Sequence, residues 1–130
     1  MIVLDASAVV DLLLVTSKGP QVAKALTGRT EAHAPEMLDP EVLAVVRRWL
    51  LRGWITRDTA DRAVEELGEM ALVRHEHGPL RSRVWSLCHR CSPYDGCYVA
   101  LAESLDAELV TTDGRLARAA GGLVRVVTPA

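Results

Sequence analysis

The sequence predicts an α/β protein, a three-layer α/β/α sandwich around a central, mainly parallel β-sheet. Short apolar runs alternate with longer segments of helical periodicity, which is typical of parallel sheets covered by helices. Hydrophobic residues make up 49% of the 130 residues, enough to fill a core. No internal repeat or low-complexity segment interrupts the chain, so we expect residues 1–130 to form a single domain.

The first strand and helix are predicted from the first fourteen positions. Met1–Leu4 has the composition of a buried strand and runs directly toward Ser7, which can cap a helix. The apolar residues of that helix are Val9, Val10, Leu12, Leu13 and Leu14. Asp5 therefore stands where the strand ends, although a carboxylate in front of a helix is also explained by capping alone.

Turn and breaker residues divide the next part of the chain. Thr16–Gly19 is predicted to be a turn, and Pro20–Leu26 a short helix that begins at its proline. Glu31–Ala34 has the composition of a weak second strand, which we expect Pro35 to end.

Asp39–Glu41 has the pattern of a helix entry, with Asp39 as the cap and Glu41 in the first turn. Thr56 starts the next helix, so the two are predicted to form a helical hairpin. Glu36 and Asp39 compete with Glu41 as functional acids. An acid in a first helical turn is also favourable without any chemistry.

The second half of the chain continues the alternation. Ser92 and Pro93 are start signals for a helix that has Asp95 in its first turn, and Asp113 directly follows a strand. The predicted elements are a strand over Leu72–Glu76, helices over Pro79–His89 and Tyr94–Leu105, a strand over Glu108–Thr112, a helix over Leu116–Ala120 and a last strand over Leu123–Val127.

Four acids are expected to meet at one edge of this sheet, because the carboxyl ends of parallel strands and the following helix starts lie on the same side. They are Asp5, Glu41, Asp95 and Asp113. Two carboxylates about 4 Å apart repel by roughly 4 kcal/mol at an effective dielectric of about 20, so protons or a divalent cation must neutralise them. Oxygen ligands without His or Cys suit Mg²⁺ or Mn²⁺, which activate water for phosphodiester hydrolysis.

Several other residues are candidates for supporting this chemistry. Ser7, Thr111 and Thr112 could orient an acid or the scissile phosphate, although capping and β-propensity explain them equally well. Arg115 is a candidate phosphate contact, or simply a solvated arginine near a helix start. Candidates for a rim that guides phosphate are Arg47, Arg48, Arg52, Arg81 and Arg83.

Composition excludes several classes of protein. The formal net charge of −2 rules out a global basic field that recruits nucleic acid. Of the lysines and arginines, all except Lys18 and Lys24 are arginines, which favour two-point contacts with phosphate. We find no secretory signal and no run long enough to span a membrane, and therefore expect a soluble cytoplasmic protein. Three cysteines do not make a disulfide framework, which agrees with a reducing compartment.

The motifs around the four acids resemble a known family. The motif IVLDAS contains Asp5, and Glu41 opens the third predicted helix. The motif YDGCYVALAE contains Asp95, and the motif LVTTDGRLARA contains Asp113. This pattern resembles PIN-domain ribonucleases and, among them, the VapC toxins of bacterial type II toxin-antitoxin modules. The resemblance implies that the four matching acids bind one or two Mg²⁺ or Mn²⁺ ions and that Thr111 supports Asp113.

The same resemblance implies an endoribonuclease with an RNA substrate, a homodimer or a higher assembly with antitoxin, and a cognate antitoxin whose tail blocks the site. Two positions depart from the family pattern. Relatives usually have Asp-Ala-Leu-Tyr where this chain has Gly96 and Cys97 between Asp95 and Tyr98. No further acid follows Asp113 closely, so we expect one firmly held ion.

Other functions are less well supported. Cys88 and Cys91 form half of a zinc pattern without its second half, so we expect them to be buried as small apolar residues. A phosphatase of the dehalogenase type needs a second aspartate where Ser7 stands, and no Gly-rich phosphate loop is present. The main alternative is a catalytically silent PIN-like module that binds RNA or a protein partner.

Overall fold

Five parallel strands form the sheet in the computed structural model, which describes residues 1–29 and 31–129. The strands are β1 (Ile2–Leu4), β2 (Ala32–Pro35), β3 (Leu72–His75), β4 (Glu108–Val110) and β5 (Val126–Val127). Their order is β3-β2-β1-β4-β5, and every neighbouring pair is parallel. This arrangement confirms the predicted fold class.

Seven α-helices in the described part of the chain connect the strands. They are α1 (Ala6–Leu13), α2 (Gly19–Leu26), α3 (Leu38–Leu51), α4 (Arg57–Glu69), α5 (Arg81–Ser86), α6 (Pro93–Leu105) and α7 (Gly114–Ala120). None of the described helices is both long enough and apolar enough to cross a lipid bilayer.

The centre of the sheet is also the centre of the core. All three residues of β1 are buried, and Val3 pairs with His33 of β2 and with Leu109 of β4. Strands covered by helices on both faces need apolar side chains at consecutive positions, which is why the sequence shows a run rather than an alternation here. The sheet therefore fixes where Asp5 emerges, one residue beyond Leu4.

Helix α6 is apolar on nearly all sides because it is packed deep in the molecule. Its buried residues are Gly96, Tyr98, Val99, Ala100, Leu101 and Ala102. The hydroxyl of Ser92 accepts a hydrogen bond from the Asp95 amide at 3.2 Å, so the predicted cap is confirmed. This cap sets the first turn of α6 and with it the backbone position of Asp95.

The predicted caps of α1 and α3 were wrong. Asp5, not Ser7, caps α1, because its extended backbone lets its own carboxylate accept from the Ala8 amide. Met37, not Asp39, precedes α3, and its amide donates to Nε2 of His77 at 3.1 Å. Both helices start earlier than predicted.

The helix predicted over Pro79–His89 is shorter in the structure. A single 3-10 turn, Gly78–Leu80, leads into α5, which ends at Ser86. Leu87 is buried against the core, and tight turns then carry the chain to α6. Cys88 is exposed and Cys91 is half-buried, so the prediction that both are buried was wrong for Cys88.

The ends of three strands also differ from the predictions. β3 ends at His75, β4 ends at Val110 and β5 is limited to two residues. The second strand extends through Pro35, which was expected to end it. A proline is tolerated there because its missing amide is needed only where a neighbouring strand accepts a hydrogen bond from it.

Candidate active site

Asp5 lies at the carboxyl end of β1 and is almost fully buried, with 4% of its surface exposed. Its backbone amide donates to the carbonyl of Val110 at 3.3 Å, which holds it beside the end of β4. Its carboxylate accepts hydrogen bonds from the Ala8 amide at 3.0 Å and from the Ser7 hydroxyl at 2.8 Å. Asp5 therefore points from the sheet into the edge where α1 begins.

Thr111 joins Asp5 to the segment that carries Asp113. Its buried hydroxyl donates to Oδ2 of Asp5 at 2.6 Å and accepts from the Asp113 amide at 2.9 Å. The Ser7 hydroxyl accepts from the Thr112 amide at 3.2 Å. Two hydroxyl groups thus tie the ends of β1 and β4 together around one carboxylate.

Burial dominates the electrostatics of Asp5. It raises the pKa of Asp5 from its ordinary value of 3.8 to about 6, and the charge of Asp113 adds to this effect. Hydrogen bonds from Thr111, Ala8 and Ser7 act in the opposite direction but do not cancel it. The negative charge of Asp5 is therefore held at a cost, which a nearby cation would reduce.

Asp95 and Asp113 complete the acidic side of the edge. Asp113 caps α7, and its carboxylate accepts from the Arg115 amide at 2.9 Å. Burial raises the pKa of Asp95, the charge of Asp113 raises it further, and Arg115 lowers it. Asp113 therefore acts on both Asp5 and Asp95, and the exposed side chain of Arg115 lies within electrostatic reach of Asp95.

Glu41 reaches the same group from the first turn of α3. The Tyr98 hydroxyl donates to its Oε1 at 2.6 Å. Burial raises the pKa of Glu41 and the charge of Asp95 adds to it, against the opposing effects of Tyr98 and His77. Each of the four predicted acids is thus coupled to at least one other.

The two competing acids near α3 are occupied elsewhere or face solvent. Asp39 forms a two-point ion pair with Arg74, at 2.5 and 2.8 Å. Glu36 is exposed, and its backbone amide donates to the carbonyl of His75 at 2.9 Å. Glu41 is therefore the acid of this region that lies with the others.

Two residues of the site were not predicted. Tyr98 was not among the predicted site residues, yet its hydroxyl donates to Glu41. It lies three residues after Asp95, on the same helical face. Asp11 accepts from the hydroxyls of Thr112 and Thr16, both at 2.6 Å. The spacing of Tyr98 could have indicated its position, whereas no local pattern pairs Asp11 with Thr112.

The oxygen donors fit a hard divalent cation in type and in charge. Carboxylates without thiolate or imidazole favour Mg²⁺ or Mn²⁺. Burial, with a smaller effect of neighbouring carboxylates, raises the pKa values of Asp5, Glu41 and Asp95. Within residues 1–29 and 31–129, no three His, Cys, Asp or Glu side chains stand close enough together to hold an ion. Coordination by this set therefore requires the carboxylates to approach one another further.

Known proteins resemble this chain in sequence and in fold. The PIN domain family matches residues 2–122. Ribonuclease VapC3 of Mycobacterium tuberculosis is 42% identical over 118 residues, which cover 91% of this chain and 86% of that protein. The family match and this identity extend over nearly the whole chain.

Solved structures share the fold at low sequence identity. PAE2754 from Pyrobaculum aerophilum has a TM-score of 0.74 at 21% identity, covering 96% of this chain and 81% of its own. VapBC2 from Rickettsia felis, solved bound to a DNA fragment from their promoter, has a TM-score of 0.64 at 13% identity and full coverage of both chains. With the fold, the acidic edge and the sequence relatives in agreement, the chain belongs to the PIN domain family.

Proposed function

We propose that the protein is a divalent-metal-dependent endoribonuclease that hydrolyses RNA phosphodiester bonds and acts as the toxin of a type II toxin-antitoxin pair. The relatives named ribonuclease VapC support the ribonuclease activity, because their identity with this chain extends over most of its length. The observation that carries the proposal is the convergence of Asp5, Glu41, Asp95 and Asp113 on one sheet edge, where their charges act on one another.

Asp5, Asp95 and Asp113 would hold Mg²⁺ or Mn²⁺, with Glu41 completing the ligand set or positioning the attacking water. Such an ion supplies a lowered pKa for bound water and charge stabilisation at the phosphate. Donors of this kind are typical of ions that keep several waters and bind phosphate oxygens.

The chain's own residues set up this site before any substrate arrives. Thr111, Ser7 and the Ala8 amide fix the direction of the Asp5 carboxylate, as their hydrogen bonds occupy defined positions on its two oxygens. Tyr98 fixes Glu41 in the same way. Arg115 is exposed and close enough to Asp95 to lower its pKa, and would contact a substrate phosphate.

The proposal includes partners and a place of action. Similarity to VapC toxins and to the VapBC2 structure supports a cognate antitoxin that binds this protein and blocks the acidic edge. A homodimer, or a larger assembly with the antitoxin, follows from the same resemblance. We place the activity in the cytoplasm, where RNA is available as a substrate.

The experiment that tests this proposal is incubation of purified protein with total RNA in Mg²⁺, in Mn²⁺ and in chelator, followed by mapping of the cut ends. We expect discrete cuts with either ion, and none with chelator. Asp95→Asn should abolish cleavage while the protein stays folded, because Asp95 lies at the surface end of α6 and outside the apolar core. Cleavage by Asp95→Asn at the parental rate would contradict the mechanism.

A catalytically silent PIN-like module that binds RNA or protein is the second candidate. The absence of a group of three ligands already in place within the described residues favours it. Metal titration separates the two candidates, since a ligand that binds only the folded state raises the melting temperature. A silent module predicts no stabilisation by Mn²⁺, whereas the nuclease predicts a rise that grows with Mn²⁺ concentration.

A further inference from the structure

An open groove of about 680 Å³ lies between α5 and the start of α6, and we call it the α5 groove. Its apolar lining comes from Val84, Trp85, Cys88, Cys91, Pro93 and Cys97. Trp85 is 75% exposed, although an indole ring is usually covered by other groups. A large exposed aromatic side chain beside an apolar groove marks a binding surface.

The polar lining of this groove carries one sign of charge. The side chains that can be positive are Arg81, His89 and Arg90, and no Asp or Glu of the described residues lines the groove. Arg81 and Arg90 have no carboxylate within 4 Å among residues 1–29 and 31–129. In a chain with a formal net charge of −2, this is a local concentration of uncompensated positive charge.

The α5 groove runs into the acidic edge. A second depression of about 410 Å³ shares Arg90, Cys91 and Ser92 with it, and continues to Asp95, Arg115 and Arg118. Arg90 is fixed between the two, because its guanidinium donates to the carbonyls of Ala119 and Gly121. The α5 groove therefore adjoins the depression that Asp95 lines.

We propose that the α5 groove binds the single-stranded segment of RNA that flanks the cleaved bond, with a base stacked on Trp85 and phosphates contacted by Arg81 and Arg90. This inference rests on the proposed function. Sites for single strands combine a positive groove that follows the backbone with aromatic faces for the bases, and the α5 groove has both.

The charge pattern favours RNA over other occupants. A polyanion gains from every cation of the lining, whereas a protein helix or a second copy of a chain with net charge −2 would bring acids and bases together. The exposed ring of Trp85 is available to bases of a single strand, while bases stacked inside a duplex cannot reach it.

Only some of the arginines predicted to form a phosphate-guiding rim line the α5 groove. Arg81 lines the groove, whereas Arg83, two residues later, forms a two-point ion pair with Glu103 of α6 at 2.8 and 2.9 Å. Arg47 and Arg48 lie on α3 and Arg52 directly follows it, and none of the three lines the groove. The proposal therefore assigns phosphate binding to Arg81 and not to Arg83.

Fluorescence anisotropy of a short labelled single-stranded RNA tests this assignment, with chelator present so that no cleavage occurs. Trp85→Ala should weaken binding by about 5- to 100-fold, the loss of one stacked base. Arg81→Ala should weaken binding and reduce the salt slope, log K against log salt, by about 0.7, one phosphate contact on a single strand. Duplex RNA of the same sequence should compete poorly.

Matched controls use the same residue types away from the groove. Trp54→Ala removes another exposed tryptophan, 61% exposed, and Arg62→Ala removes an exposed arginine of α4. Both should bind like the parent, and melting temperatures should show all four variants folded. Equal losses in the control variants, or equal competition by duplex RNA, would overturn the proposal.

Measurements of cleavage and assembly distinguish failure of the proposed function from failure of the groove assignment. If the parent binds RNA through Trp85 but does not cleave it with Mg²⁺ or Mn²⁺, the proposed function fails and the groove assignment stands. If the parent cleaves RNA and both groove variants bind and cleave equally well, the groove assignment fails alone. If Trp85→Ala only dissociates a dimer in sedimentation experiments, a second copy covers the groove, and the RNA assignment is overturned.

Discussion

Thr111 is the side chain on which two acids of the candidate site depend. Its hydroxyl donates to Asp5 and accepts from the Asp113 amide, and it is fully buried. A buried polar group that loses its partner costs about 1 to 3 kcal/mol, more than the pair contributes when formed. The single hydroxyl therefore matters both for stability and for the direction of the Asp5 carboxylate.

Replacing Thr111 by Val keeps the shape and removes the hydroxyl. We expect the free energy of unfolding to fall by about 1 to 3 kcal/mol, because Asp5 and the Asp113 amide lose a partner. RNA cleavage should slow at the same time. Thr111→Ser, which keeps the hydroxyl, should restore cleavage; equal activity of the Val and Ser variants would show that the hydroxyl does not position Asp5.

The raised pKa of Asp5 makes the stability of the metal-free protein depend on pH. Its pKa is raised to about 6 in the folded state from an ordinary value of 3.8, so the folded state binds the proton more tightly. The resulting destabilisation is fully present above about pH 6, shrinks as the pH falls through the folded pKa, and vanishes below the ordinary value. A shift of this size corresponds to about 3 kcal/mol.

We therefore expect the metal-free protein to become more stable as the pH is lowered from about 7 to about 5. Urea unfolding at a series of pH values measures this change. Asp5→Asn has no such charge, so its curve should be flatter and its stability at neutral pH equal to or above that of the parent. A parent that loses stability over this range while Asp5→Asn does not would contradict the raised pKa of Asp5.

At the scale of elements, the contact between α5 and α6 explains why Gly96 departs from the family pattern. A Cβ at Gly96 would lie 3.1 Å from Cγ1 of Val84, closer than two carbons normally approach. The glycine weakens α6 by about 1 kcal/mol relative to alanine, but it allows α5 to pack against the turn that holds Asp95. The close packing of α5 against α6 thus depends on the absence of a Cβ at Gly96.

A double-mutant cycle tests this explanation. In the parent, Gly96→Ala should leave the free energy of unfolding nearly unchanged or lower it, because the new methyl group contacts Val84 too closely. In a Val84→Ala background the same substitution should add up to about 1 kcal/mol to the free energy of unfolding, the intrinsic helix preference of alanine. Additive effects of the two substitutions would show that no steric conflict exists.

Which elements could be predicted depended on whether their signals were local. Thr56 and Ser92 cap their helices as predicted, since a side chain that caps its own helix acts within three residues. The end of α5 could not be predicted, because it is set by Leu87 entering the core and by contacts with α7. The periodicity of the sequence continues beyond the point where tertiary contacts end the helix.

At the scale of the whole molecule, the order of the strands makes the site. With β1 between β2 and β4, the chain leaves the sheet at Asp5 and at Thr111 side by side, and α3 follows β2 on the other side. That convergence could be predicted from parallel topology alone. The partners Tyr98 and Asp11 could not, because hydrogen bonds between distant segments leave no periodic signal.

Negative and positive side chains also lie in separate regions of the molecule, which the net charge does not show. Acids gather at the carboxyl edge of the sheet. Arg81 and Arg90, which have no carboxylate partner among the described residues, line the α5 groove beside it. A formal net charge of −2 averages these two regions. We therefore expect attraction of a polyanion to be local to the groove, and composition does not reveal it.

We propose that the four acids are tolerated together because a divalent ion binds among them. The most direct test of this proposal is the melting temperature of the parent and of Asp5→Asn, titrated with Mn²⁺ at neutral pH. The account predicts a rise for the parent that grows with Mn²⁺ concentration, as for any ligand of the folded state alone, and little or none for Asp5→Asn. No rise in the parent, or an equal rise in both proteins, would contradict it.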